Sequence, residues 1–202
     1  MTLACLPLSA GAESAERPSA SPETRPAPER PASLRDTLED LQGAKPASMD
    51  VRTARQWVDT MEPRLAGFIA DGDRRRTLLL RLYQEAGLAG LAPELVLAVV
   101  EVESAFRADA VSSAGAVGLM QIMPFWIHEL GLPADDLEDP WRNLRYGCTI
   151  LAHYLAMEQG DLTRALARYN GSLGETWYPE RVMSAWQSRW HVPRSASDVT
   201  VR

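Results

Sequence analysis

Residues 93–106 read PELVLAVVEVESAF, a run whose apolar positions recur with a helical period. Pro93 suits the first turn of such a helix, where its missing N–H costs nothing. At about 100° per residue, Leu95, Val96, Val99, Val102 and Phe106 share one broad face. Glu103 projects into that face, between Val96 and Val99 in angle, whereas Glu101 falls about 200° away on the more polar side. A carboxylate on an apolar stripe loses solvation, so its pKa is expected to rise, as general acid chemistry near neutral pH requires. A lone glutamate in this setting is more often a helix-edge residue paired with an arginine. The surrounding sequence has to decide between the two.

Helical periodicity extends outward from this run in both directions, and strand-like alternation is nearly absent. The spacing predicts helices over about 50–69, 72–89, 93–106, 123–130, 140–158, 161–169 and 179–190. Asp139-Pro140 and Asp161 supply starts for two of them, and Gly87 and Gly160 supply ends. Residues 107–122 are rich in small residues and lack a period. The expected fold is an all-α globule with one long functional loop, occupying 49–192 and including a short helical preface. Residues 193–202 read as a frayed tail.

Composition changes near residue 50. Residues 16–48 are dominated by Ala, Pro, Ser, Glu and Arg, which cannot bury enough surface to offset ordering entropy, so a disordered spacer is expected there. Residues 1–15 combine a short apolar run with Ala10-Gly11-Ala12, and read as the remnant of a secretory signal whose start lies upstream. Lipidation of Cys5 is the weaker reading. No segment approaches the roughly 20 apolar residues of a membrane span.

Two cysteines make no disulfide framework, and Cys148 lies in the apolar pattern Leu144, Cys148, Leu151, Leu155 as a small buried hydrophobe. His128, His153 and His191 lack ligand spacing, so no metal site and no cofactor are expected. A net charge of −6 with dispersed arginines argues against nucleic acid as the main partner. Arg74-Arg75-Arg76, the one tight basic cluster, reads as a solvated helix turn. A monomer is the expectation.

The segment ESAFRADAVSSAGAVGLMQIMP (103–124) carries Glu103-Ser104, Ser112, Gly115-Ala116, Gly118-Leu119-Met120-Gln121 and Pro124 in order. It resembles the catalytic motifs of the soluble lytic transglycosylase family of peptidoglycan-cleaving enzymes. Asn143 and Gly147 in NLRYGCTIL and Tyr169-Asn170-Gly171 in ARYNG resemble that family's later motifs, so the likeness spans roughly residues 85–190. Two departures stand out. Gly171-Ser172-Leu173-Gly174 replaces the commoner Ala-Gly-x-Gly after Tyr-Asn, and Phe125-Trp126 follow Pro124 where a Thr is frequent. Both bear on the outer subsites rather than on Glu103.

The resemblance implies a lysozyme-like, goose-type fold and a one-carboxylate reaction. Glu103 would act as acid and then base on the bond between N-acetylmuramic acid and N-acetylglucosamine, closing a 1,6-anhydro ring without water. That fits the inventory, because no obvious second carboxylate accompanies Glu103 in the sequence. Asp109 sits in a loop, and Asp135, Asp136, Glu138 and Asp139 cluster before a helix where the macrodipole favours them. Implied substrate-binding residues are Ser112, Gln121, Met123, Tyr169 and Asn170. Tyr169 is placed to reach Glu103 or sugar hydroxyls, and Tyr-Asn-Gly can also serve as a helix C-cap. Trp177 or Tyr178 is a candidate wall for a sugar subsite. Peptidoglycan strands in the cell envelope are the implied partner, with no protein partner indicated. The alternatives are a lysozyme-type hydrolase, marked by a placed second carboxylate, and a catalytically silent glycan-binding scaffold. The presence of Glu103 together with Ser112, Gln121, Tyr169 and Asn170 argues against the scaffold.

Overall fold

The computed structural model describes residues 50–130 and 137–192. The expected signal remnant, spacer and C-terminal tail lie outside these residues, as do Asp135 and Asp136. Among the described residues seven α-helices follow in order: α1 (Val51–Leu65), α2 (Gly72–Leu88), α3 (Pro93–Ser104), α4 (Pro124–Leu130), α5 (Pro140–Met157), α6 (Leu162–Asn170) and α7 (Trp177–Ala185). A π-helical turn, Trp186–Trp190, completes the series. Among the described residues the only β character is a pair of isolated bridges, Val111 with Val117 and Val117 with Ile122.

Aspartates start four of the helices. Asp50, Asp71, Asp139 and Asp161 each accept a first-turn backbone N–H through the side chain, each cap worth about 1 kcal/mol. Helix α2 runs through Gly87 and is closed instead at Gly90 (φ 68). There Leu91 N–H reaches Ala86 C=O and Gly90 N–H reaches Gly87 C=O, the pairing of a Schellman motif. Helix α6 closes in the same way at Gly171 (φ 73), so the Tyr-Asn-Gly run does form a cap.

Helix α3 is more central than its period suggests. Leu95 through Val100 are all buried, including Leu97 and Val100 off the predicted face. The helix packs against α2, α7 and the π-turn, and an all-round apolar helix belongs in an interior. At about 1.5–3 kcal/mol for each large aliphatic side chain, this burial fixes α3 as a rigid post. Its end comes two residues earlier than the periodicity predicts. Ala105 (φ 49) and Phe106 (φ 64) are both left-handed, a turn that costs non-glycine residues roughly 1–2 kcal/mol each. Phe106 nonetheless reaches the core from this turn, with its ring 4.9 Å from Phe68 and 5.6 Å from Trp190.

Polar ties join the helices around this post. The Trp57 indole N–H donates to Glu94 at 2.7 Å, linking α1 to α3. Glu85, 2% exposed, pairs with Arg145 of α5 (2.8 Å) and with Arg81 (2.9 Å). The hydrogen bond to Glu85 raises the Arg145 pKa, outweighing the opposite pull of burial. The Arg74–Arg76 run is not merely solvated. Arg75 donates to Glu62 (2.7 Å) and to two carbonyls beyond α1, and Arg76 pairs with Asp59 (2.8 Å), so two of its three members pin α2 to α1. Cys148 is buried as expected, and burial pushes its thiol pKa far up.

Candidate active site

Glu103 sits in the last turn of α3, half-buried, beside the fully buried Val96 and Val99. The Tyr178 hydroxyl donates to its Oε1 at 2.6 Å. Tyr178 is 1% exposed on α7. Burial first, and the negative charge of Glu103 second, raise its pKa well above the usual tyrosine value. The phenol therefore keeps its proton and remains a donor to the carboxylate at any physiological pH. Sequence reasoning placed Tyr178 only as one of two candidate subsite walls. Its role opposite Glu103 depends on a contact spanning 75 positions, for which no local signal exists.

Tyr169, expected to reach Glu103 or sugar hydroxyls, lies near enough to feel the Glu103 charge. Its hydroxyl donates to the Met120 carbonyl at 2.8 Å, and its interaction with Glu103 is electrostatic. Burial, then the Glu103 charge, raise its pKa as well. Tyr169 thus binds the loop that faces Glu103. Asn170 follows it as the last, half-buried residue of α6.

Besides the Tyr169 bond, the loop between α3 and α4 is held by an internal lattice and by three further anchors. Ser112 N–H donates to Ala116 C=O (2.9 Å) and Ala116 N–H returns a bond to Ser112 Oγ (3.0 Å). The Ser112 hydroxyl still has its proton to give. Gln121, left-handed at φ 50, spends its amide N–H groups on the carbonyls of Ala110 (3.1 Å) and Gly118 (3.0 Å). Only its side-chain oxygen remains for another partner, so much of its work is to shape the loop. Met123 is half-buried and packs against the core just before α4.

The first anchor is Ser104, whose hydroxyl donates to Leu119 C=O at 2.8 Å, so the residue next to Glu103 ties the helix end to the loop. The second is Asn143 of α5, fully buried. It accepts from Met120 N–H (2.9 Å) and donates to Val117 C=O (2.8 Å) and Leu137 C=O (3.2 Å). The third is close packing of loop on helix. A Cβ on Gly118 would lie 2.3 Å from the Asn143 amide, and one on Gly147 would lie 2.3 Å from Met120 Sδ. These contacts explain why Asn143, Gly147 and Gly118 occur together in the motif.

The arrangement is a half-buried carboxylate on a rigid helix end, gripped by a protonated phenol and faced by an anchored loop. Among the described residues no group of three or more His, Cys, Asp or Glu could hold a metal ion. Residues 83–186, about half of the chain, match the family model of the transglycosylase SLT domain. The chain belongs to this family.

Membership makes this an SLT domain of lysozyme-like, all-α type. The transglycosylase of Enterobacteria phage PRD1 is 36% identical over 100 residues, covering 46% of this chain and 37% of the phage protein. A membrane-bound lytic murein transglycosylase C of Actinobacillus pleuropneumoniae serotype 5b is 47% identical over 51 residues, 25% of this chain and 14% of that protein. The SLT domain chain therefore spans well under half the length of these relatives. An inactive variant of lytic transglycosylase Slt from Pseudomonas aeruginosa aligns over 65% of this chain and 31% of its own, at 23% identity and a TM-score of 0.41. No helix of the described SLT domain residues is long and apolar enough to cross a membrane.

Proposed function

We propose that this SLT domain is a peptidoglycan lytic transglycosylase. It cleaves the β-1,4 bond between N-acetylmuramic acid and N-acetylglucosamine without water. The observation that carries the reading is the Glu103–Tyr178 pair at 2.6 Å, on a helix end tied to the loop by Ser104. Family membership and the names of the phage and Actinobacillus relatives support it.

In this reaction the Glu103 carboxyl gives its proton to the bridging oxygen, and the C1–O bond breaks. The 2-acetamido group of the muramic sugar steadies the cationic centre, as in other substrate-assisted glycosidic cleavage. The Glu103 carboxylate then takes the proton of the muramic C6 hydroxyl while O6 bonds to C1. The acid is regenerated and a 1,6-anhydro ring is the product. Tyr178 holds the carboxylate in place and stabilises its ionised form between the two half-steps. Ser112 donates to the acetamido oxygen, the free oxygen of Gln121 accepts from a sugar N–H or O–H, and Met123 provides an apolar wall. Tyr169 and Asn170 secure the loop. No cofactor or metal takes part in this scheme. The matching location is the cell envelope, where the substrate lies.

The test is digestion of insoluble peptidoglycan by the full chain and its Glu103→Gln variant, with soluble products read by mass spectrometry. The expected products carry 1,6-anhydromuramic ends, about 18 Da lighter than hydrolytic ones for want of one water. The variant releases none while keeping its thermal transition. Reducing ends would replace this scheme with hydrolysis, and normal release by the variant would remove Glu103 from it.

A further inference from the structure

The outward face of the α1–α2 hairpin has no part in the scheme above. The family match begins at residue 83, so α1 and most of α2 stand outside it. A groove of about 310 Å³ runs between the two helices, lined by Arg55, Val58, Asp59, Arg76 and Leu80. The Arg76–Asp59 pair (2.8 Å) sets the register, so Leu80, one turn along α2, comes level with Arg55, one turn back along α1. Val51, a further turn back, extends the row on α1. Val51 and Leu80 are 53% and 39% exposed, which leaves apolar surface uncovered on both walls. From Val51 to Asp59 the row is about 12 Å long by helical rise. Arg55 makes no ion pair among the described residues.

The sequence ahead of Asp50 supplies a segment of matching pattern. All three leucines of residues 16–48 fall at positions 34, 38 and 41, the i, i+4, i+7 spacing of one helical face. Ser33 and Asp36 have the spacing of a capping box, Gly43 is the stop expected after a helical run, and Pro46 lies beyond it. A stripe from Leu34 to Leu41 measures about 11 Å by helical rise, close to the length of the row. Residues 43–49 separate it from Asp50, a length that commonly joins antiparallel helices. Charge agrees, because Arg35 is outweighed by Asp36, Glu39 and Asp40, whereas the groove offers Arg55. So short a run does not hold a helix by itself, and its apolar stripe needs a surface to cover it.

We propose that residues 33–42 fold back as a helix antiparallel to α1 and lay Leu34, Leu38 and Leu41 in this groove. Leu41 then covers Val51, and Leu38 covers Leu80 beside Arg55. The segment belongs to the folded domain, and the spacer ends before Ser33 rather than at residue 48. The inference stands apart from the transglycosylase reading and does not depend on it.

The experiment follows amide hydrogen exchange along the full chain, native and in four variants. In the native chain the amides of residues 37–42 are expected to exchange at least about tenfold more slowly than an open chain of that sequence. Leu38→Asp and Leu80→Asp each return them to open-chain rates. Glu39→Gln, on the far side of the stripe, leaves them protected. Protection of the α1 and α2 amides in Leu80→Asp shows that the hairpin itself is folded. Arg55→Glu, at an exposed position, repeats the test from the other wall and lowers the protection severalfold. Open-chain rates in the native chain would overturn the proposal, as would protection that survives both Leu80→Asp and Arg55→Glu. Light scattering covers the exchange of segments between molecules. A dimer whose protection at 37–42 vanishes on dilution would seat the segment on a second copy and overturn the fold-back.

Discussion

Replacing Gly118 by alanine should unfasten the loop from α5, and the size of the effect can be worked out. The residue is left-handed (φ 81), and its missing Cβ would fall 2.3 Å from the Asn143 Nδ2 and 2.7 Å from its Cγ. The backbone conformation alone costs an alanine roughly 1–2 kcal/mol. Asn143 is fully buried and cannot swing into solvent, so it must retreat and lose bonds to Met120, Val117 and Leu137. Each lost bond that leaves a buried group unpaired costs about 1–3 kcal/mol. Partial relaxation places the total at about 4 kcal/mol. Gly115 supplies the control, being left-handed as well (φ 84) but with open space where a Cβ would stand. Gly115→Ala should cost only the backbone share. The expected gap of about 2–3 kcal/mol corresponds to roughly 4–12 °C in Tm for a domain of this size. Thermal and urea unfolding of both variants measure it. An Asn143→Ala background should erase the excess, because the clash then has no partner. Equal destabilisation by the two alanines, or an excess that survives in that background, would refute the packing argument.

Other expectations follow from single contacts. Tyr178→Phe removes a buried donor to a carboxylate, worth about 1.5–3 kcal/mol, so kcat should fall by one to two orders of magnitude with the fold intact. The lost bond favours the ionised carboxylate, so without it the acid keeps its proton to higher pH and the alkaline limb of the pH–rate profile should move up; an unmoved limb would deny Tyr178 that role. Glu85→Ala leaves Arg145 and Arg81 without their shared partner. It should destabilise by about 3 kcal/mol in urea titration, and a change under 1 kcal/mol would mean solvent already carries those charges. Burial lowers the His153 pKa below its ordinary 6.5. Below that value the unfolded chain binds a proton that the folded one resists, so this group makes stability fall as pH drops from about 6.5 toward the lowered value. His153→Gln should flatten Tm across that window, and an unchanged slope would show that other groups set it.

Much of the architecture was legible along the chain. The helical segments are marked by their period and, at Asp139 and Asp161, by aspartate caps, both of which depend on residues a few positions apart; the caps at Asp50 and Asp71 emerged only from the structure. The irregular 107–122 stretch declared itself by lacking a period. Boundaries slipped where a left-handed turn intervened. Phe106 continues the apolar pattern of α3, yet it reaches the core from outside the helix because Ala105 and Phe106 reverse the chain. Gly87 looked like a stop, but Gly90 supplies the left-handed residue that closes α2.

Glu103 could be singled out because an acid on an apolar helical face contradicts its local pattern, and motif order raised that contradiction to a candidate site. The assignment of the two tyrosines could not be reached in the same way. Tyr169 and Tyr178 lie nine positions apart near the end of the chain, and both are plausible partners by residue type. Only the packing of α7 on α3 brings Tyr178 to the carboxylate, while the docking of α6 on α5 turns Tyr169 toward Met120. Likewise the glycine at 118 reads as loop punctuation until Asn143 is seen filling the space its side chain would need. Sequence by itself determined the helical segments and singled out Glu103 as the candidate acid, since each follows from a pattern of neighbouring residues along the chain. Tertiary structure decided which groups touch the acid and what holds the loop against it, since those contacts join residues 15 to 75 positions apart.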